Sequence, residues 1–488
     1  MAKRTAIIDI GSNSITVVVY EKSSRFAFTL IKKARASVRI GEGAYEMGGV
    51  LQKEAMDRAY MAISDILDIA NSLKCRKILT VATSALRDAP NKSEFINRVK
   101  HGLKLSLNVI DGKKEAYLGG IAAANLLYPI DEFITVDIGG GSTEFAHVKN
   151  GKVESVHSLN LGTVRLKELF FDKGASIDDA KSFIDEILKE LPSSFKAKKI
   201  VGIGGTIRAL SSAIMSKERY PIDSLHGFEY RIKDHKKLIK ELAIMSDKEL
   251  KKLDIPANRF DTIREGVALF YRVIKRVEAQ YVISSKAGVR EGRYLTDLLR
   301  NTNHKFPHNF NVSIKNLMDK FALNEKNCAF VQRVAVDVYD TLKPLHKIED
   351  DNYRRVISYA AKLSPINSRL NIYSNSGNSF YLLLEYLNFG FTHEQKLTIA
   401  LLLKLSSKQK KRNIEYKKYA PLLPNIEIME WLYTILSIAR CINASRKIQK
   451  VSFVLDDKKR LLIKKEKVGL LTKECLEKLS LDLKIKCL

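Results

Sequence analysis

The sequence predicts an α/β region of two similar domains facing each other across a cleft, followed by a mainly helical domain. Three observations carry this. From Arg4 to about Arg300, apolar β-branched runs alternate with helix-like stretches. Inside that region Ile8-Asp9-Ile10-Gly11-Ser12-Asn13-Ser14 recurs, 128 residues later, as Val136-Asp137-Ile138-Gly139-Gly140-Gly141-Ser142-Thr143. After Asn303 the alternation gives way to long amphipathic segments.

Strands are expected at Thr5–Ile10, Ile15–Tyr20, Phe26–Ile31, Lys77–Ala82, Leu107–Ile110, Phe133–Ile138 and Lys199–Ile203, where β-branched residues concentrate. Leu51–Leu73, Lys113–Leu127 and Ile263–Val277 have helical periodicity. In the last part Phe330–Leu342, Tyr353–Leu363 and His393–Leu405 read as helices. Val451–Leu455 and Leu461–Lys465, joined by Asp456-Asp457-Lys458-Lys459, read as a hairpin. Asn301–Asn309 contains Pro307 and no apolar periodicity, so we place a boundary there. The domains expected are residues 1–125, 126–303 and 304–488.

Composition narrows the class. Of 488 residues, 45% are hydrophobic and 28% charged, which suits packed domains and excludes wholesale disorder. No apolar run reaches the roughly 18–20 residues of a membrane span, and the N-terminus lacks the apolar core of a secretory signal. The five cysteines, Cys75, Cys328, Cys441, Cys475 and Cys487, are scattered and form no CxxC. They argue against a disulfide framework or a zinc site and for a reducing cytoplasm. The net charge of +28 favours polyanionic partners, although a generally Lys-rich surface gives the same balance. From His304 onward 33 basic residues face 18 acidic ones, so the last part carries about half of the excess.

The repeated loops decide the chemistry. A dinucleotide or Walker A loop leads from strand into helix, and the latter needs Gly-Lys-Ser/Thr. Here the first loop leads into Ile15-Thr16-Val17-Val18-Val19-Tyr20, a strand sequence, and neither loop has the lysine. Both are therefore hairpin loops: Gly11, Ser12, Asn13 and Ser14 in one, Gly139, Gly140, Gly141, Ser142 and Thr143 in the other. Backbone N–H groups gathered at such turns bind phosphate oxygens. Asp9 and Asp137 stand at the strand ends, where they can hold Mg²⁺ or its waters. An ordinary tight hairpin with a capping Asp is the alternative. Gly204, Gly205 and Thr206 follow a strand and open a helix, which offers another anion site or a plain helix cap. Glu115 falls in a first helical turn, where a carboxylate activates water or complements the helix dipole.

These segments resemble the motifs of a known family. Ile8–Ser14, Val81-Ala82-Thr83-Ser84-Ala85-Leu86-Arg87-Asp88-Ala89, Gly112–Ala116, Val136–Glu144 and Gly202–Thr206 match, in order, those of exopolyphosphatases and guanosine pentaphosphate phosphohydrolases. The likeness covers about residues 1–300 and includes Ala287-Gly288-Val289-Arg290-Glu291-Gly292. The resemblance implies two actin-like (ribonuclease H-like) domains around a cleft, as in actin, sugar kinases and heat-shock ATPases. It implies that Glu115 is the general base, that Asp137 and Glu144, with Asp9, attend Mg²⁺, and that Arg87 faces the phosphate.

Long family members end in a domain resembling HD phosphohydrolases. Here Ser364-Pro365 stands where His-Asp is expected, and Tyr373–Ser379 has no histidine, so the C-terminal domain reads as a non-catalytic scaffold or polyanion binder. Lys404–Lys418, with seven basic residues and one acidic, suits a polyphosphate track or a solvated helix end. The function expected is Mg²⁺-dependent release of terminal phosphate from inorganic polyphosphate, from pppGpp, or from both, in the cytoplasm. No membrane or sequence-specific nucleic-acid partner is expected, and a homodimer is compatible with the sequence. A polyphosphate- or alarmone-binding sensor and a kinase of the same superfamily are the alternatives of other classes.

Overall fold

The computed structural model describes residues 3–487 apart from 45–46, 174–176, 254, 367–368, 370–376, 405–408, 466–467 and 480–482. The chain divides into two compact units, Met1–Phe310 and Asn311–Leu488.

The first unit holds two sheets built alike. β1 (Lys3–Ile10), β2 (Ile15–Lys22), β3 (Phe28–Ala36) and β4 (Lys77–Ala82) form a sheet in the order β3-β2-β1-β4. β5 (Glu132–Ile138), β6 (Thr143–Lys149), β7 (Lys152–Leu159) and β8 (Lys199–Ile203) repeat it as β7-β6-β5-β8, extended by β10 (Tyr281–Ser284) and β9 (Glu229–Arg231). In both sheets the first two strands pair antiparallel and the fourth runs parallel to the first. In both, the second and third strands shift register, at Val19/Tyr20 and at His147/Val148. The sequence echo is thus a duplicated topology with each glycine loop at the same hairpin.

Helices cover the sheets: α1 (Lys53–Ser72), α2 (Ser84–Asp88), α3 (Gly112–Leu126), α4 (Gly204–Lys217), α5 (Ile263–Val277) and α6 (Val289–Leu298). One core packs Ile8, Ile10, Val17 and Val19 against Met56, Ile63 and Ile66 of α1. The other packs Val136, Ile138 and Ile200 against Leu210, Ile214, Phe270 and Val273. Three strand expectations need correction. The third strand lies at Phe28–Ala36, beyond the expected Phe26–Ile31. Leu107–Ile110 makes only one isolated bridge, Val109 to Ala82. β7, β9 and β10 are additions; β7 (Lys152–Leu159) is half exposed, so its polar residues blur the β pattern.

The second unit contains α7 (Glu325–Thr341), α8 (Asp351–Leu363), α9 (His393–Lys404), α10 (Gln409–Tyr419), α11 (Ile426–Ile442) and α12 (Leu470–Glu477). The expected hairpin is present as β11 (Val451–Leu455) and β12 (Leu461–Lys465), with β13 (Ile485–Cys487) parallel to β12. Asp456 fixes its turn by accepting from the backbone N–H groups of Lys458 and Arg460. The cysteine reading needs correction on disulfides: Cys441 on α11 and Cys475 on α12 form one, while Cys75, Cys328 and Cys487 are free. Scatter along the chain says nothing of distance in space, and α12 returns to lie on α11.

The basic stretch also departs from expectation. Lys404 pairs with Glu415 at 2.8 Å and Arg412 with Glu430 at 2.6 Å, so these two charges are neutralised within the fold. Lys417 and Lys418 are exposed, and Lys408 lies outside the described residues. At the presumed ancestral metal position Ser364 is buried. Most of Tyr373–Ser379 lies outside the described residues. Among the described residues no helix is long and apolar enough to cross a membrane.

Candidate active site

Both hairpin loops open into one cleft of about 170 Å³. The Gly11 N–H closes its loop on the Ser14 carbonyl at 3.1 Å, and the Gly139 N–H does the same on Ser142 at 2.9 Å. Those first amides are therefore taken up by the turn. The amides of Asn13, Ser14, Gly140 and Ser142 donate to no protein acceptor among the described residues, and they are the ones left for an anion. The loops nearly touch, since a Cβ added at Gly140 would lie 3.1 Å from Ser12 Cβ. Ser12 and Ser84 share a hydroxyl contact of 3.0 Å. Thr143 is a correction: it is fully buried and gives its hydroxyl to the Leu161 carbonyl, so it braces the second hairpin. Gly141 also turns away from the cleft, its carbonyl accepting from Arg165 Nε.

Asp137 and Glu144 are seven residues apart, yet the antiparallel register sets them directly opposite on one face of the β5–β6 ribbon. Glu144 accepts from Ser158 Oγ on β7 at 3.0 Å. Gly112 opens α3 because a Cβ there would meet Ser158 Oγ at 2.2 Å. Asp111 caps that helix by accepting from the Lys114 N–H. One turn on, Glu115 is buried, and its Oε2 accepts from Arg87 Nη1 at 3.1 Å. Glu115 thus keeps its first-turn place beside the helix dipole and adds burial and an arginine partner. Arg87, on α2, is also held by Asp88.

Burial first, then the neighbouring Glu144, pushes the Glu115 carboxyl well above the usual range, against the pull of Arg87. Asp137 is pushed to about 6, chiefly by burial. Burial also raises Glu144, opposed by hydrogen bonds from Ser142 and Ser158. Asp9 is raised by burial too, but Arg290 Nη1 holds it at 3.0 Å.

The side chains expected to attend Mg²⁺ fit it only in part. The trio of Asp137, Glu144 and Asp9 does not converge, since among the described residues no three His, Cys, Asp or Glu side chains form a metal centre. Asp9 is diverted to Arg290. Asp137 and Glu144 do fit: two carboxylates opposed across the ribbon, both raised chiefly by burial, beside a phosphate cradle. Mg²⁺ is usually held by one or two carboxylates together with substrate phosphates and water.

The third glycine segment is shaped around Asp137. Gly204 has φ +87°, and a Cβ there would lie 2.7 Å from Asp137 Oδ1, so only glycine passes beside the carboxylate. α4 starts at Gly204 itself, earlier than its apolar pattern suggests, which puts Gly205 and Thr206 in its first turn at the cleft. In the Ala287–Gly292 segment the Glu291 carboxylate accepts from the Gly288 N–H at 2.8 Å and from Tyr20 Oη at 2.7 Å. This segment starts α6 and aims Arg290 at Asp9.

Sequence reasoning missed the arginines. Arg35, Arg208, Arg259 and Arg290 all line the cleft. The guanidinium groups of Arg35, Arg208 and Arg259 have no hydrogen bond or ion pair among the described residues. Burial, then the neighbouring Arg290, lowers Arg208 to about 10. The Arg259 guanidinium lies against Gly205, where a Cβ would come within 2.2 Å of its Cζ. Arg35 was findable once register is known, since Asp9, Thr16 and Arg35 form one row across β1, β2 and β3.

Fold and site define a class: a duplicated actin-like α/β unit whose paired backbone loops face a carboxylate cluster and an arginine wall. The chain belongs to the Ppx/GppA phosphatase family, whose model matches residues 18–301; the model of that family's domain III matches residues 311–484. Similar solved structures include a family member from Aquifex aeolicus, 29% identical, with a TM-score of 0.53 over 62% of this chain and 99% of that one. An exopolyphosphatase from Cytophaga hutchinsonii is 23% identical, with a TM-score of 0.56 over 62% and 100%. A bifunctional 3-dehydroquinate synthase/phosphatase of Fusobacterium nucleatum is 30% identical over 299 residues. These make up 58% of this chain and 44% of that protein, so the chain spans less than half of that relative.

Proposed function

We propose that the protein hydrolyses the terminal phosphoanhydride bond of an oligophosphate, with inorganic polyphosphate as its main substrate class. The observation that carries this is the cleft itself. Loop amides without a protein acceptor, three arginines without an ion-pair partner among the described residues and a buried glutamate line the same cleft, which suits a chain of phosphates. The phosphatase activity named for the Fusobacterium relative supports the same reaction class.

The amides of Asn13, Ser14, Gly140 and Ser142 bind the terminal phosphoryl group. Arg35, Arg208 and Arg259 hold the phosphates behind it. Glu115 Oε takes a proton from water as the water oxygen bonds to phosphorus and the bridging oxygen departs with the shortened chain. Arg87 opposes the burial that raises the Glu115 carboxyl and so favours the ionised form a base needs. Asp137 and Glu144 would hold Mg²⁺, which supplies positive charge for the phosphoryl oxygens.

pppGpp is the second reading, because it presents the same bond. Among the described residues no aromatic side chain lines the cleft, so a guanine has no aromatic ring to stack on there, and this favours the inorganic chain. The alternative of a binding-only sensor leaves the Arg87–Glu115 pair without a task. Glu115→Gln should lower turnover of polyphosphate by about 10²–10⁴-fold, the worth of a general base, with substrate affinity kept. Near-normal turnover would overturn the assignment. Kinetics of the wild-type protein on both substrates decides between the readings.

A further inference from the structure

The first unit carries a second cationic cavity at the opposite end of its N-terminal sheet. β1 enters this end at Lys3 and leaves the other at Asp9, about 20 Å away at the rise of a strand. The cavity, about 460 Å³, lies among the start of β1, the end of β2, the start of β4 and the last turn of α6. That volume is within the range of small-molecule sites.

Its lining is lopsided in charge. Among the described residues Lys3, Arg4, Lys22, Arg25, Arg76, Lys77 and Arg300 face Asp297 as the single acid. Asp297 is taken by Lys77, and the nearby Glu21 is taken by Arg4 at 2.7 Å. The head groups of Lys3, Lys22 and Arg76 have no hydrogen-bond or ion-pair partner among the described residues. Arg300 donates only to the Asp297 carbonyl, and Arg25 rests on the Phe26 ring. Burial and the neighbouring Lys3, Arg300 and Arg25 all press the Lys22 ammonium toward its neutral form. Cations gathered on several elements repel one another at a cost in stability, which a multivalent anion would relieve.

We propose that this cavity is a second oligophosphate-binding site, separate from the catalytic cleft. Arginines that present planar forks recognise phosphate oxygens in pairs, and the lysines add point charge. Three or more linked phosphates are needed to meet five uncompensated cations, so orthophosphate is too small. The same chemistry comes from a free inorganic chain or from the phosphates of a nucleotide, for which the part-exposed Phe26 ring offers aromatic surface in the same cavity.

The test is lysine-acetylation footprinting of the full-length Glu115→Gln protein, read peptide by peptide, with sodium tripolyphosphate or GTP at constant ionic strength. Tripolyphosphate should slow acetylation of Lys22 at least fivefold. The Arg25→Ser/Arg300→Ser change should remove that protection, while the same change in the wild-type protein leaves turnover of a short substrate unaltered. Equal protection by both ligands assigns the site to the phosphate chain alone, and tighter protection by GTP assigns it to a nucleotide. Lys22 labelled at one rate with and without either ligand overturns the proposal. So does protection that survives the double change. Phosphate release in the same tubes reports separately on the role of Glu115, so failure of the hydrolase reading leaves the footprint interpretable.

Discussion

Glu265 stands in the first turn of α5 beside Gly266, whose Cα packs on Thr206 of the cleft. It is 5% exposed, its Oε2 has no hydrogen-bond partner, and burial lifts its carboxyl to about 7. A raised carboxyl binds its proton more tightly in the folded than in the unfolded chain. Its stabilising contribution is therefore present below the ordinary range near 4.5 and is lost as pH rises through about 7. Asp137, lifted from 3.8 to about 6, acts in the same direction. The melting temperature of the metal-free protein should fall between pH 5 and pH 8. Glu265→Gln should flatten that slope, because an amide carries no charge-burial penalty at any pH. An unchanged slope in the variant would show that other groups carry it. None of this was legible in the sequence, where Glu265 is one acid in a helix start, as helix dipoles favour.

Among the elements, α3 and α6 decide whether Glu115 and Asp9 are held in place. They cross at Gly292, where a Cβ would fall 2.0 Å from the Leu118 carbonyl oxygen. Gly292→Ala must push the helices apart. It should cost about 1–3 kcal/mol in chemical denaturation, as overpacked cores do, and lower turnover as well. Gly204→Ala should show the opposite balance, with most activity lost and less stability, because its Cβ meets the Asp137 carboxylate. Comparing the two variants by denaturation and kinetics checks both. The hairpin nature of the loops was readable because Ile15–Tyr20 is a strand sequence with no helical alternative. Glu144 was named by the family resemblance alone, and its place opposite Asp137 came with the strand register. Arg259 was not readable, because it lies on a short 3₁₀ turn (Ala257–Arg259) brought to Gly205 by long-range packing alone. Cys441 and Cys475 failed for the same reason.

For the whole molecule, the division at Phe310 offers a direct test of what the basic second unit does. A protein ending there should melt cooperatively and still hydrolyse tripolyphosphate. If the second unit captures long chains, the shortened protein should bind them more weakly. The salt dependence should become shallower by about 0.7–0.9 for each phosphate group no longer neutralised. The internal pairs Lys404–Glu415 and Arg412–Glu430 make that change smaller than the number of basic residues suggests. Unaltered affinity and salt slope would assign the second unit another task. That no aromatic side chain lines the cleft among the described residues has a further consequence for a linear polyphosphate, whose two termini are chemically identical. If polyphosphate is the substrate as proposed, a cleft that reads phosphates alone has no polarity to enforce, so a chain should be accepted whichever end arrives first. Blocking one terminus with an amine through a phosphoramidate bond should then slow the initial release only in proportion to the ends removed, and blocking both should stop it.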